Sequence, residues 1–290
     1  MEPSQVTEQS DFTAYFTPID PPDGADATYE YFRPSGAVVS VWSPKIQHGG
    51  PPTGLLVRAM ERAVDPSDGQ EFSRVTMEIL GAIGLGVNRV RAVVPRPGRQ
   101  ISQVSAELEV QQDDGTYRLV ARATAWRLKS CDSSSVQRLP RTPLDLTPDR
   151  LEQHIGFPEV NGIEVPWGRV GFIGTVTVCG QPSRVGGLAA IWIKPNLPLV
   201  AGEHTSPLAS AFTVIDVANG VGTPLDPMTW SWMNTDTTVH LIKQPAGDWV
   251  GIDSNMAAGA TGYAASFADL YDVTGFLGRS AQTSLLSRQG

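Results

Sequence analysis

Cysteine is nearly absent from this chain of 290 residues: Cys131 and Cys179 are the only two, far apart and without CxxC spacing. That excludes a disulfide framework and a structural zinc site, and it fits a reducing compartment. Long apolar runs are missing too. None approaches the roughly 20 residues that a membrane span requires, so no membrane partner is expected. Basic runs are also lacking: 22 Lys and Arg stand against 30 Asp and Glu, for a formal net charge of −8. A chain this acidic, with no cluster of Lys and Arg, is a poor match for nucleic acid or an anionic membrane surface. The opening MEPSQVTEQSDFTAYF is acidic and polar, unlike a secretory or transit peptide, and a cytoplasmic location is the expectation.

Several catalytic signatures are missing as well. There is no Gly-x-Ser-x-Gly, and His48, His154, His204 and His240 are the only histidines, which disfavours a serine hydrolase. The glycines from Gly81 to Gly86 lack both the order and the acidic partner of a dinucleotide-binding turn. No cofactor and no metal are expected.

What is present is a core and a repeat. Hydrophobic residues make up 41% of the chain and charged residues 18%, enough to bury a sizeable core. In the first half a β-branched stretch, Val38 to Pro44, precedes His48-Gly49-Gly50-Pro51-Pro52 and an apolar helix from Gly54 to Val64. Strand-like runs follow at Phe72 to Leu80, Val87 to Pro95, Ile101 to Gln111 and Tyr117 to Leu128. The alternation Ser105-Ala106-Glu107-Leu108-Glu109-Val110 and the turn at Asp114-Gly115 mark a hairpin of half-buried strands.

The second half repeats this order. Strands at Val170 to Val178 and Gly187 to Pro195 lead to an apolar helix, Pro207 to Asn219, with Gly220 as its expected cap. Four runs follow: Trp230 to Ile242, Trp249 to Ala257, Tyr263 to Tyr271 and Phe276 to Leu286. Each unit is therefore two strands, one helix and four strands. A helix apolar on most faces must be buried, so the strands should wrap around it. The expected class is α+β, built as two curved antiparallel sheets, each around a central helix. The units span residues 1–130 and 161–290, and a polar, proline-bearing linker of 131–160 joins them, with a short helix expected at Leu151 to His154.

A buried helix in a curled sheet, repeated twice, resembles the hotdog fold. The detailed residues resemble the double-hotdog acyl-CoA thioesterases of the thioesterase II group. The resemblance rests on Gln47-His48-Gly49-Gly50, on Phe212-Thr213-Val214-Ile215-Asp216, on Asn234-Thr235-Asp236 and on Ser280-Ala281-Gln282. It covers residues from about 28 to 289. No Asp-x-Asn-x-x-His occurs, which sets aside a hotdog hydratase.

The resemblance implies hydrolysis of an acyl-CoA substrate by a carboxylate on the second helix, here Asp216, with Gln282 and a hydroxyl residue holding the water. The hydroxyl position falls at Asn234, a departure: Asn can hydrogen-bond a water but cannot relay its proton. His48, Gly49 and Gly50 are expected to face Asp216 and supply N–H groups to the oxyanion. Asp216 could act as general base or attack the carbonyl itself, and the residues fit either route. Glu61 holds the comparable place on the first helix. The tryptophans read as core residues, some of them lining an acyl tunnel. Arg89, Arg91, Arg96 and Arg99 are candidates for CoA contacts, with a solvated face as the plainer role. A closed homo-oligomer is expected from the open edges and outer faces of such sheets.

Overall fold

The computed structural model describes residues 12–160, 162–181 and 190–289. Two edge strands, β1 (Phe16–Ile19) and β2 (Glu30–Pro34), lead to helix α1 (Gly50–Arg62). Four long strands then meander as β3 (Gln70–Ile79), β4 (Asn88–Arg96), β5 (Ile101–Gln111) and β6 (Tyr117–Lys129). The connecting segment carries three short pairs of residues in strand conformation, β7 (His154–Ile155), β8 (Glu159–Val160) and β9 (Ile163–Glu164). Strands β10 (Val176–Gly180) and β11 (Ile191–Pro195) precede helix α2 (Pro207–Ile215) and the single turn α3 (Ala218–Val221). The chain ends with β12 (Trp230–Asn234), β13 (Asp236–Leu241), β14 (Val250–Ala258), β15 (Tyr263–Asp272) and β16 (Gly275–Arg288).

All but β8 and β9 join one antiparallel sheet. Its order is β1-β2-β4-β5-β6-β3-β13-β16-β15-β14-β11-β10-β7, with β12 also paired to β16. The order of the first half, β2-β4-β5-β6-β3, returns reversed in the second as β13-β16-β15-β14-β11. The halves meet where β3 pairs β13, with Val75 opposite Val239. The alternating residues of β5 bury Val104, Ala106, Leu108 and Val110 on one face, the period of two that a strand imposes.

Helix α1 lies against β4, β5 and β6, and α2 lies against β11 and β14. Every residue of α1 from Gly50 to Met60 is buried, so the helix has no solvent face. Its largest apolar side chains, such as Leu55, Leu56 and Met60, contribute about 1.5–3 kcal/mol each by burial. The two helices also pack on each other, and glycine makes that approach close. A Cβ at Gly50 would stand 2.2 Å from the Thr213 carbonyl oxygen, and one at Gly54 would stand 2.2 Å from Thr213 Oγ1. Ser206 caps α2 by accepting the Ala209 N–H at 3.0 Å, with Pro207 at the first helical position.

The local expectations needed correction in five places. Val38 to Pro44 is not a strand: Gly36–Val38 forms a 3-10 turn capped by Ser35. Val39 then spends its carbonyl on the Phe172 N–H at 2.9 Å rather than on a ladder. Val170 to Val178 is a strand only from Val176, after a 3-10 turn at Ile173–Thr175. The run from Trp230 to Ile242 breaks at Thr235, whose N–H goes to Thr283 and whose carbonyl takes the Ile79 N–H. Finally, α2 stops at Ile215 with Asp216 as its C-cap. Gly220 lies inside the next turn, and Leu151 to His154 contains no helix. Of the expected strand from Gly187, residues 187–189 lie outside the described residues.

Candidate active site

Ending α2 at Ile215 places the Asp216 side chain just beyond the last helical turn, buried to 3% exposure. Three strands converge on it. The Asn234 amide nitrogen donates to Asp216 Oδ1 at 2.7 Å, and Thr237 Oγ1 lies 3.4 Å from the same oxygen. Gln282 Nε2 donates to the Asp216 main-chain carbonyl at 2.9 Å and to Thr237 Oγ1 at 3.0 Å. Because Thr237 accepts from Gln282, its own proton is free to point at the carboxylate. The amide oxygen of Gln282 is buried and has no hydrogen-bond partner among the described residues.

The other side of the site comes from the start of α1. A Cβ at Gly49 would stand 2.8 Å from Asp216 Oδ2. His48 Nδ1 lies 3.3 Å from Oδ2, and its ring packs tilted against Phe172 with centroids 4.5 Å apart. Burial pushes the His48 imidazole below its ordinary pKa, and the Asp216 charge only partly opposes this. The ring is therefore neutral near pH 7. Gly50 N–H donates to His48 Nδ1 at 3.1 Å, so it is already engaged. Among the described residues no hydrogen bond uses the Gly49 N–H, which belongs to the N-cap residue of α1.

The sequence-predicted residues Asp216, Asn234, Gln282, His48, Gly49 and Gly50 thus meet at one place. Thr237 was missed. It lies in a run of polar residues, Asn234 to Thr238, where only the strand's pleat tells which side chain points inward. A cavity of about 1280 Å³ opens onto the site, and His48, Gly49, Asp216 and Asn234 line it together with Trp42, Trp167 and Trp232. Trp42 packs edge-on to Trp232 at 5.4 Å and tilted against Trp167 at 6.5 Å. Trp192, by contrast, belongs to the core.

Glu61 stands apart. It accepts the Ser206 hydroxyl at 2.6 Å, burial raises its pKa, and it lines a separate cavity of about 240 Å³. Arg89 and Arg91 are paired with Glu109 and Glu107 at 2.9 Å, and so are engaged on the sheet surface. Among the described residues, no group of three or more His, Cys, Asp or Glu could hold a metal. No helix among them is long and apolar enough to cross a membrane.

A buried carboxylate, a half-satisfied amide and the Gly49 N–H at a helix start, beside an aromatic-lined cavity, make a site suited to adding water to an activated acyl group. The N-terminal domain profile of the acyl-CoA thioesterases matches residues 38–128, and their C-terminal domain profile matches 148–286. The chain belongs to this acyl-CoA thioesterase family.

Solved structures give the fold. A hot dog fold protein of unknown function from Alicyclobacillus acidocaldarius superposes with a TM-score of 0.65 at 14% identity, over 91% of this chain and 94% of that one. The acyl-CoA thioesterase II TesB2 from Mycobacterium marinum gives 0.62 at 11%, over 91% and 94%. A tesB protein from Mycobacterium avium subsp. paratuberculosis gives 0.59 at 14%, over 89% and 92%. The chain therefore has a hotdog fold. A search of curated proteins found no match.

Proposed function

We propose that this protein hydrolyses an acyl-CoA thioester to the free acid and CoA, with Asp216 activating the water. The observation that carries the reading is the Asp216 carboxylate itself, 3% exposed, oriented by Asn234 at 2.7 Å and set on the wall of the aromatic cavity. In that surrounding a carboxylate has few water molecules to solvate it, so it acts on the one water it holds. Asn234 fixes Oδ1, Thr237 offers its proton to the same oxygen, and the open Gln282 Oε1 accepts from the water. The Gly49 N–H at the start of α1 receives the developing oxyanion, aided by the helix dipole.

In this reading the molecule is a double hotdog, with units at 1–130 and 161–290 joined by 131–160. The mirrored strand order supports it. The site is then shared: the start of the first unit's helix meets the end of the second unit's helix. The outer-face residues Tyr263, Phe267 and Leu285, all more than half exposed, support self-association into a homo-oligomer.

The test is release of free thiol from a panel of short, medium, long and aromatic acyl-CoAs by wild type and Asp216→Asn. Removing a general base lowers the rate by roughly 10²–10⁴-fold, and the variant should lose turnover while melting like wild type. Wild type that binds acyl-CoA but hydrolyses none of the panel would make this a binding protein instead. Turnover that survives Asp216→Asn would move the chemistry elsewhere, with Glu61 next to be changed.

A further inference from the structure

The cavity has two chemically different rims. One rim comes from residues 152–160 and 162–167, anchored to the sheet by Gly156 N–H on the Val176 carbonyl at 2.9 Å. It presents Glu152, Glu159 and Glu164 to the cavity, all three exposed. It also supplies Trp167, which continues through Trp42 to Trp232 as an apolar wall. The other rim is the loop after β3, tied to the strand-like stretch before α1 by Gln47 N–H on the Ile83 carbonyl at 2.7 Å. Gly81 of that loop lines the cavity, and Arg118 Nη2 would stand 2.9 Å from a Cβ placed on it. Arg118 is exposed and takes part in none of the described salt bridges. No Lys or Arg is among the described residues lining the cavity.

A CoA thioester is strongly asymmetric: a polyanionic nucleotide at one end, an acyl group at the other. Resting on the thioesterase reading above, we infer that the acyl group lies under the rim of residues 152–160 and 162–167 against the Trp42–Trp167–Trp232 wall and carries no anionic group, while the nucleotide lies toward Arg118. The tryptophan wall stabilises a large apolar acyl group by burial. A carboxylate at the far end of the acyl chain would be stripped of water against that wall with three glutamates nearby. Like charges at a partly solvated rim and the missing hydration together reduce binding by on the order of tenfold or more. The reversed placement would set the nucleotide phosphates beside Glu152, Glu159 and Glu164, with the same penalty multiplied.

The experiment uses non-hydrolysable thioethers, so it reads binding apart from turnover. Octyl-CoA thioether and the same thioether ending in a carboxylate are titrated calorimetrically into wild type, the double variant Glu159→Gln/Glu164→Gln, and Arg118→Gln. Melting curves check that each variant is folded. The terminal carboxylate should weaken binding to wild type by on the order of tenfold or more, and the double variant should narrow that gap several-fold. Arg118→Gln should weaken octyl-CoA several-fold more than octyl-pantetheine thioether, which lacks the nucleotide. Equal binding of the two CoA thioethers, a gap unmoved by the double variant, or an Arg118 effect blind to the nucleotide each overturns the inference. So does failure of both thioethers to bind. Selective binding without hydrolysis of the matching thioester would overturn the thioesterase reading and leave this one standing.

Discussion

His48 Nδ1 stands 3.3 Å from Asp216 Oδ2 and at the same time accepts the Gly50 N–H at 3.1 Å. One ring nitrogen cannot do both. With its proton on Nε2, His48 holds the start of α1; with its proton on Nδ1, it donates to Asp216 and releases the Gly50 N–H. Either way the ring is neutral, since burial lowers its pKa against the opposing pull of Asp216.

That neutrality has a consequence for stability. In the unfolded chain the imidazole titrates near its ordinary 6.5, and in the folded chain it titrates lower. Below about pH 6.5 the unfolded state therefore binds more protons, and stability falls as pH falls until the folded group also titrates. Above that pH the difference vanishes. One full proton corresponds to about 1.4 kcal/mol per pH unit. His48→Gln should flatten the loss of urea-unfolding free energy between about pH 6.5 and 5 relative to wild type. Parallel profiles would show that His48 is not the buried neutral group described here.

Two adjacent glycines should fail in different ways. At Gly49 an added Cβ meets the Asp216 carboxylate, 2.8 Å from Oδ2 and 3.1 Å from Cγ. That side chain can shift, so Gly49→Ala should fold but displace the carboxylate, and a misplacement near 1 Å costs roughly 10²-fold in rate. At Gly50 the Cβ meets backbone, 2.2 Å from the Thr213 carbonyl oxygen, which cannot move without separating the helices. Gly50→Ala should lose about 1–3 kcal/mol of stability. Thermal melts beside steady-state kinetics separate the two, and a Gly49→Ala enzyme with wild-type kcat would remove Gly49 from the site.

Replacing Gln282 with Glu keeps the shape and adds a charge. Gln282 Nε2 now donates to the Asp216 carbonyl at 2.9 Å and to Thr237 at 3.0 Å. A carboxylate oxygen there would face a carbonyl, costing about 1–3 kcal/mol for the lost donor. The new carboxylate also repels Asp216 and takes away the donor that holds its carbonyl, so the reacting carboxylate is displaced. Gln282→Glu should therefore lower kcat by roughly 10²-fold, as a misplacement near 1 Å does. A folded Gln282→Glu enzyme with wild-type kcat in steady-state assays would remove Gln282 from the site.

How far the sequence reveals this arrangement depends on what holds each part in place. The long strands and both helices are legible because period and turn residues carry them: the alternation in β5 and the apolar spacing of α1 need no tertiary information, although α1 begins at Gly50 and not at the expected Gly54. Val38 to Val41 misleads because its β-branched residues are used as loop, with Val39 bonded across to Phe172. The break at Thr235 is invisible for the same reason, since it is set by Thr283 and Ile79 from distant strands. The site residues on α2 and α1 could be named in advance through their resemblance to the thioesterases, but that resemblance carried the hydroxyl position to 234 and so passed over Thr237. Which of five consecutive polar residues faces Asp216 is decided by the kink at Thr235, and that kink is tertiary.

Thr237 therefore supplies the sharpest remaining test. Asn234 occupies the place where a hydroxyl was expected, and it donates to Asp216 Oδ1 at 2.7 Å. The hydroxyl of Thr237 lies 3.4 Å from that oxygen and is oriented by Gln282 at 3.0 Å. If it stands in for the missing hydroxyl, Thr237→Val should lower kcat by roughly 10–10²-fold, beyond what its stability cost explains. That cost is about 1–3 kcal/mol, because Gln282 Nε2 loses one acceptor in a buried site. Thr237→Ser keeps the oxygen and should retain most of the rate. The decisive variant is Asn234→Thr in the Thr237→Val background: it returns a hydroxyl to Asp216 from the neighbouring strand and should recover part of the lost kcat. Thr237→Val with undiminished kcat would make the hydroxyl structural, and failure of Thr237→Ser to rescue would mean that the methyl group, not the proton donor, is what the site requires.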